Sequence, residues 1–491
     1  MMNRYSAWIF ISIIFCGCSN LNAAETAAPA MTGSTAAAPG GYRVIHNDFF
    51  WVDQNGERIL TRSGCLCRFD GVYYWYGGTQ TDLHRAQYCY TSTDLVHWTS
   101  KGVVLSCPVE ANRIDVVYNR TTRQYVMVMK YDGNGAHLGI ATADKPEGPF
   151  TFKGQTLVDN ARMGDSSVYL DDDGKAYLCY VSWAVGTNAQ HGIYLMSPDY
   201  LTLDKRIYLW DIRSREAPHI FKRNGLYYYG TSRTAGIESS GTSYYTTKDL
   251  AGPWSPATPL ATTGSTNSWD SQVDTIIPIQ GKEGTVYLYF GDRWIKNVPK
   301  GRNGDYIFLP MEFDGNTPIL NYYQDWDINV VAGTWRKFDP SRNLAAGKKA
   351  TASSEDANHV AHDITIPKTY QDYVKTYWQS GDGDAQWITV DLEKPTEINR
   401  VILKWNTNAA KEFKVQTSTD QANWTDVFST KLGSPYTVTD ETFKATTARY
   451  VRMSAAQKAP IPRIRADMVR RGQNEAMPAG YSLFDFMVLK D

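Results

Sequence analysis

Five short segments carry acidic, basic or amide residues at matching points along the chain: Arg62-Ser63-Gly64, Arg113-Ile114-Asp115, Gly164-Asp165-Ser166, Arg215-Glu216-Ala217-Pro218 and Asp270-Ser271-Gln272. Four of the five hold a carboxylate. Carboxylates gathered at one place repel, so a ring of them persists mainly where chemistry or binding uses it. Burial beside a second carboxylate raises the pKa of a carboxyl group, which then stays protonated near neutral pH and can donate its proton. Glu216 fits that general-acid role, with Asp165 the best neighbouring carboxylate by repeat position. Taken singly, each carboxylate is an ordinary solvated strand end. Their recurrence at equivalent points carries the reading.

What brings these segments together is a repeat. FDGVYYWYGG holds Tyr73, TTRQYVMVMKY Tyr125, DDGKAYLCYVS Tyr177, RNGLYYYGTS Tyr228 and KEGTVYLYFGD Tyr287. Each unit sets a turn between two strand-like runs, the signature of a β-hairpin. A second element recurs downstream as STDLVHW, TADKPEGPF and TTKDLAGPW. The period is about fifty residues with a longer last step, and no helical period is present. These features predict an all-β chain whose first large domain, residues 42–338, is a five-bladed β-propeller. The first strand of each blade then lines the axis, and the five segments converge at one end of it.

Charge and composition narrow the partners. The 491 residues include 50 basic and 51 acidic side chains, for a net charge of -1. No basic stripe points to nucleic acid. Aromatic residues reach 13%, with 32 Tyr and 15 Trp, suited to strands and to stacking on sugar rings. Arg4 and the apolar run 7–15 read as an export signal, residues 1–24. Phe15-Cys16-Gly17-Cys18-Ser19 resembles a bacterial lipobox with Cys18 as the lipidated residue, and cleavage after Ala23-Ala24 is the alternative. Residues 25–41 read as a flexible tether. The expected location is outside the cytoplasm, at the periplasm or cell surface, with membrane contact only through the lipid. Cys65, Cys67, Cys89, Cys107 and Cys179 read as strand residues with room for one disulfide, not as a zinc pattern.

The segment SREAPHIFKRNGLYYYGTS and the aspartate of MGDSSVYLDDDGKAYL resemble glycoside hydrolase family 43, from Gly41 to Phe338. The resemblance implies Glu216 as general acid, Asp165 as its pKa modulator, and inversion at the anomeric centre. Inversion needs an acid and a base on opposite faces of the sugar. The family's base is an aspartate on the first blade, and Ser63-Gly64 stands there instead. WVDQNGERI, YYWYGG, DSQVDTIIPI and FGDRW resemble the exo-β-1,3-galactanase branch, which also lacks that base. There a glutamine on the last blade takes its place, which maps to Gln272. Asp115, a carboxylate on the channel side, is the alternative base. Asn112 stands where that branch has a sugar-contacting glutamate. Further expected substrate contacts are Arg113, Arg215, Ser63 and Asp270, with Trp183, Trp269 and Trp294 as stacking platforms.

After Pro340 the character changes. NLAAGKKATASS, AQWITVDL and the Ser418-x-Asp420-x-x-x-Trp424 segment resemble the discoidin, or coagulation factor type C, domain shared with carbohydrate-binding module family 32. Residues 339–491 are therefore expected to form a jelly-roll β-sandwich, with a basic stretch at 463–471. The resemblance implies glycan binding or a structural appendage in equal measure. It also implies a structural calcium, with Asp363 and Asp485 as the ligands by position. No cofactor is needed for the chemistry itself. The expected protein is a monomeric exo-acting hydrolase releasing galactose from β-1,3-galactan or a related galactoside in polysaccharide breakdown. The alternatives are a β-galactofuranosidase or α-L-arabinofuranosidase, and a catalytically inactive glycan-binding propeller.

Overall fold

The structure, a computed structural model, describes residues 41–79, 84–131, 136–183, 190–210, 212–236, 238–294, 304–368, 375–460 and 480–491. Cys18, the export signal, nearly all of the tether and the basic stretch 463–471 lie outside the described residues. The described chain is all-β, a propeller followed by a sandwich, with 3-10 turns at Pro340–Arg342 and Ala361–Thr365.

The tyrosine repeat forms the second strand of each of five sheets, and the first strands run Arg62–Phe69, Ala111–Asn119, Arg162–Leu170, Arg215–Arg223 and Gln272–Gln280. Two of the hairpins close by two-residue turns, Asp70-Gly71 and Asn224-Gly225, with positive φ at both positions of each. That geometry matches the twist of the flanking strands and selects Asp-Gly and Asn-Gly. The first strands lie side by side around the axis, the last of them against the first. Aromatic side chains fill the space between sheets. Trp75, for example, makes edge contacts with Trp51, Trp98, Phe290, Tyr306 and Phe308.

The expected count of five blades needs correction, because six sheets precede the sandwich. The sixth, Arg43–His46 with Asp325–Asn329 and Thr334–Lys337, joins the start of the propeller region to its end. Its members lie before the first repeat and after the last, so a count of repeated tyrosines misses it. The five cysteines beyond Cys18 are all free thiols, so the disulfide their number allowed is not formed. Cys65, Cys89 and Cys107 instead pack as small apolar groups in one core cluster.

All five first strands carry a bulge near their leading end. Pairing slips between Arg62 and Cys65, Asn112 and Asp115, Met163 and Ser166, Glu216 and His219, and Val273 and Thr275. A bulge inserts residues that the partner strand does not match, and it re-aims their side chains. Ser63, Arg113 and Ala217 take positive φ there.

The C-terminal sandwich is dominated by two long strands, Gln386–Trp405 and Val438–Lys458, around a core that includes Trp378, Trp405, Phe413 and Phe486. It docks on the propeller through Phe49 and Phe50 against Tyr436 and Phe484. The Phe50 amide donates to the Tyr436 carbonyl at 2.7 Å.

Candidate active site

The bulged strand ends assemble one hydrogen-bonded network. Its hub is Arg113, a buried guanidinium that donates to Asp274 Oδ1 at 2.6 Å and Gln272 Oε1 at 2.5 Å, and pairs with Asp165 Oδ2 at 3.1 Å. Asp165 also accepts the Ala217 amide at 3.1 Å, with Lys130 Nζ 3.8 Å away. That amide bond fixes Asp165 against the residue following Glu216.

Glu216 is half-buried. Its Oε1 accepts Gln272 Nε2 at 2.8 Å and the Ala235 amide at 3.4 Å. Burial and then the Asp165 charge push its pKa up, against the opposing pull of Arg113. Asp165 behaves oppositely: burial alone would raise it, but Arg113 and Lys130 hold it below the usual carboxylate range. Two neighbouring carboxyls driven apart in this way are an acid and its charged orienter.

Gln272 is almost fully buried and its amide is saturated. Arg113 and Trp294 Nε1 (2.8 Å) both donate to Oε1, and Nε2 donates to Glu216 and to Ser232 Oγ at 2.9 Å. Arginine and indole are obligate donors, so they fix which end of the amide faces Glu216. In this arrangement Gln272 holds the acid. To take a proton from water it must first release Arg113 or Trp294.

Asp115 does not join this group. Its carboxylate accepts the Val168 amide at 2.8 Å and faces Cys65, and burial lifts its pKa to about 7. It lines a narrow, water-sized cavity that borders the network, with Arg113, Ser166, Ala217 and Asp274. Ser63 is buried and contributes its backbone amide to Asp292 Oδ2 at 2.7 Å. Asn112 donates to Glu110 at 2.7 Å, and Arg215 to the Gly241 carbonyl at 3.4 Å. Asp270 accepts Asn267 Nδ2 at 2.9 Å inside a turn. Trp269 is held by the Leu320 carbonyl and by the Tyr322 ring, 5.4 Å away. Trp294 is a buried donor to Gln272 and not an open platform. Trp183 is 39% exposed and lies beside Gly164.

Sequence reasoning missed Asp274 and Asp292. Both are buried, on neighbouring strands behind Gln272. Burial and the adjacent Asp292 raise Asp274 well above the carboxylate range. Burial lifts Asp292 to about 6 despite Arg62. Neighbouring buried carboxyls of like charge oppose each other's ionisation, which adds to the effect of burial. The signal was present in DSQVDTIIPI and FGDRW, but only the bulge at Asp274 turns that side chain to Arg113.

In the sandwich, the two residues expected to bind calcium meet a lysine. Lys368 Nζ donates to the Asp363 carbonyl at 2.6 Å and to Asp485 Oδ1 at 2.9 Å. The described residues contain no group of three or more His, Cys, Asp or Glu side chains arranged to hold a metal ion.

A propeller whose axial strand ends gather a carboxyl of raised pKa, a carboxylate of lowered pKa and an arginine hub, followed by a β-sandwich, defines a class of carbohydrate-processing proteins. Residues 64–316 match the glycosyl hydrolases family 43, and residues 349–465 match the F5/8 type C domain. The chain belongs to glycosyl hydrolase family 43. It is 30% identical over 221 residues to the β-D-galactofuranosidase xynD of Aspergillus niger, covering 37% of this chain and 63% of that protein. It is 26% identical over 206 residues to the xylosidase/arabinosidase 43B of Humicola insolens, covering 37% and 36%. The chain thus spans less than two thirds of either curated relative. Among solved structures it resembles an exo-β-1,3-galactanase from Clostridium thermocellum, with TM-score 0.55, 28% identity, and coverage of 72% of this chain and 83% of that one. The exo-β-1,3-galactanase of Phanerochaete chrysosporium shares the fold at 22% identity and TM-score 0.56, covering 91% and 100%.

Proposed function

We propose that this chain is an inverting, exo-acting glycoside hydrolase that releases galactose from β-1,3-galactan or a related galactoside. One observation carries the proposal. Burial and Asp165 push the Glu216 pKa up, and Gln272 fixes its direction. A carboxyl held in this way protonates a glycosidic oxygen as the bond breaks. Asp165 remains ionised and stabilises the protonated acid, and Arg113 holds Asp165 and Gln272 in register. Trp183 offers a stacking face at the rim. The likeness to the Clostridium thermocellum enzyme supports the galactan assignment.

A furanosidase is the second reading. It is favoured by the match to the Aspergillus niger β-D-galactofuranosidase and by Asn112 where the galactanase branch has a glutamate. An inactive, binding-only propeller has no need of an acid and orienter driven apart in pKa. The sandwich serves as a glycan-binding or docking module, and the export signal delivers the protein outside the cytoplasm.

The test is product release by the purified protein from β-1,3-galactan, arabinogalactan, and nitrophenyl galactofuranoside and arabinofuranoside. Galactose from the galactan supports the proposal. Cleavage of a furanoside alone moves the substrate and keeps the site. Glycan binding with no release from any of the four overturns both hydrolase readings.

A further inference from the structure

The strongest unexplained feature outside the active site is a buried lysine in a cradle of oxygen atoms. The Lys368 side chain is only 1% exposed. Its Nζ donates to the carbonyls of Asp363 (2.6 Å) and Phe484 (2.8 Å) and to Asp485 Oδ1 (2.9 Å), with the Ile366 carbonyl at 3.4 Å. Three backbone carbonyls and one carboxylate, with no nitrogen or sulfur among them, are the donor set of a hard cation such as calcium. An ammonium group has three hydrogens, and the three short contacts use them all.

The surroundings argue against a second cation beside it. Lys404, fully buried, sits with Nζ 3.8 Å from the other oxygen of Asp485. Lys404 also donates to Asp325 Oδ2 at 2.6 Å, across to the propeller. A divalent ion in the cradle would face two buried ammonium groups with Asp485 as the one carboxylate among the oxygens holding Lys368. Uncompensated buried charge of one sign is strongly unfavourable. The Asp363 carboxylate, which the sequence suggested as a ligand, is not among the groups that hold Lys368. That residue contributes its carbonyl instead.

We propose that the Lys368 ammonium is the resident cation of the C-terminal sandwich, occupying the oxygen cradle that a divalent ion would otherwise take. At this cradle the domain needs no calcium. A covalently attached cation also survives chelators and calcium-poor surroundings. This inference does not depend on which glycoside the propeller cleaves.

The experiment is thermal unfolding of the full chain, with calorimetric titration of calcium chloride into protein stripped by EDTA. The unfolding temperature of the wild type should be the same in excess EDTA and in millimolar calcium, and the titration should show no stoichiometric binding. Lys368→Met keeps the bulk but removes the charge, and it should lower the unfolding temperature by several degrees. A fall in the wild-type unfolding temperature on adding EDTA overturns the proposal, as does one calcium bound per chain. So does an unchanged unfolding temperature in Lys368→Met. If that variant does not fold, the two wild-type measurements still decide.

Discussion

Two buried charge networks, one in the propeller axis and one between propeller and sandwich, use the same residue types to opposite ends. In the axis, protons are unevenly held: Glu216 and Asp274 are pushed up and Asp165 is pulled down around one arginine. Between the domains, cations and anions alternate. Arg400 pairs with Asp440 at 2.5 Å, and Asp440 faces His46 at 3.2 Å. His46 pairs with Asp325 at 2.6 Å, and Asp325 with Lys404 at 2.6 Å. There Asp325 falls to about 2, because Lys404 and His46 outweigh its burial. Against the same burial, Asp325 and Asp440 carry His46 above its usual 6.5. Strict alternation settles every charge and makes a clamp. Crowded carboxyls around too few cations leave a proton poised for transfer.

The comparison breaks first at Arg113. Arg113→Leu leaves Asp274 buried without its cation and Asp165 with only Lys130, 3.8 Å away. We expect a loss of about 3–5 kcal/mol in urea unfolding, together with loss of activity. A change within the error of the urea midpoint contradicts the hub role.

Asp165→Asn is the next largest change. It removes a negative charge that holds Glu216 up, so the Glu216 pKa falls. The alkaline limb of kcat/KM against pH should move to lower pH, with a rate loss on the order of 100-fold. An unmoved limb would show that Asp165 acts only by packing.

The interdomain clamp has its own pH signature. Asp325 is lowered on folding, so its stabilisation is present above 3.8 and lost as pH falls through about 2. His46 is raised, so its contribution is present below 6.5 and lost as pH rises through its folded value. Asp440→Asn should cost roughly 2 kcal/mol at neutral pH and flatten both dependences, read as urea midpoints across pH. Equal slopes in variant and wild type would remove Asp440 from the clamp.

The smallest effect belongs to Trp183. Trp183→Ala should raise KM several-fold, about 1 kcal/mol, with kcat nearly unchanged. A fall in kcat at constant KM would place the indole in the chemistry instead.

The sequence made the repeat legible because its turns are local. Asp70-Gly71 and Asn224-Gly225 specify two-residue hairpins without help from the rest of the chain. Glu216, Asp165 and Gln272 were legible because they recur at equivalent points of that repeat. Asp274 was not, since a one-residue bulge decides its direction and nothing local encodes it. The sixth sheet was hidden for a related reason. Its strands lie nearly three hundred residues apart, Arg43 pairing with Ile328, and no period links them. The calcium ligands expected by position face a cation of the chain's own. Position suggested Asp363 and Asp485, but the cation that reaches them is a lysine only five residues beyond Asp363.

The role proposed for Glu216 is to supply the proton to the departing oxygen. It is tested most directly by comparing Glu216→Gln with wild type on two substrates, the natural polysaccharide and an aryl glycoside of the same sugar with a dinitrophenyl leaving group. A good leaving group departs without protonation, so only the polysaccharide depends on the acid. The account predicts that the variant loses at least about 100-fold on the polysaccharide and far less on the aryl glycoside. Equal losses on the two substrates, or no loss on the polysaccharide, would contradict it.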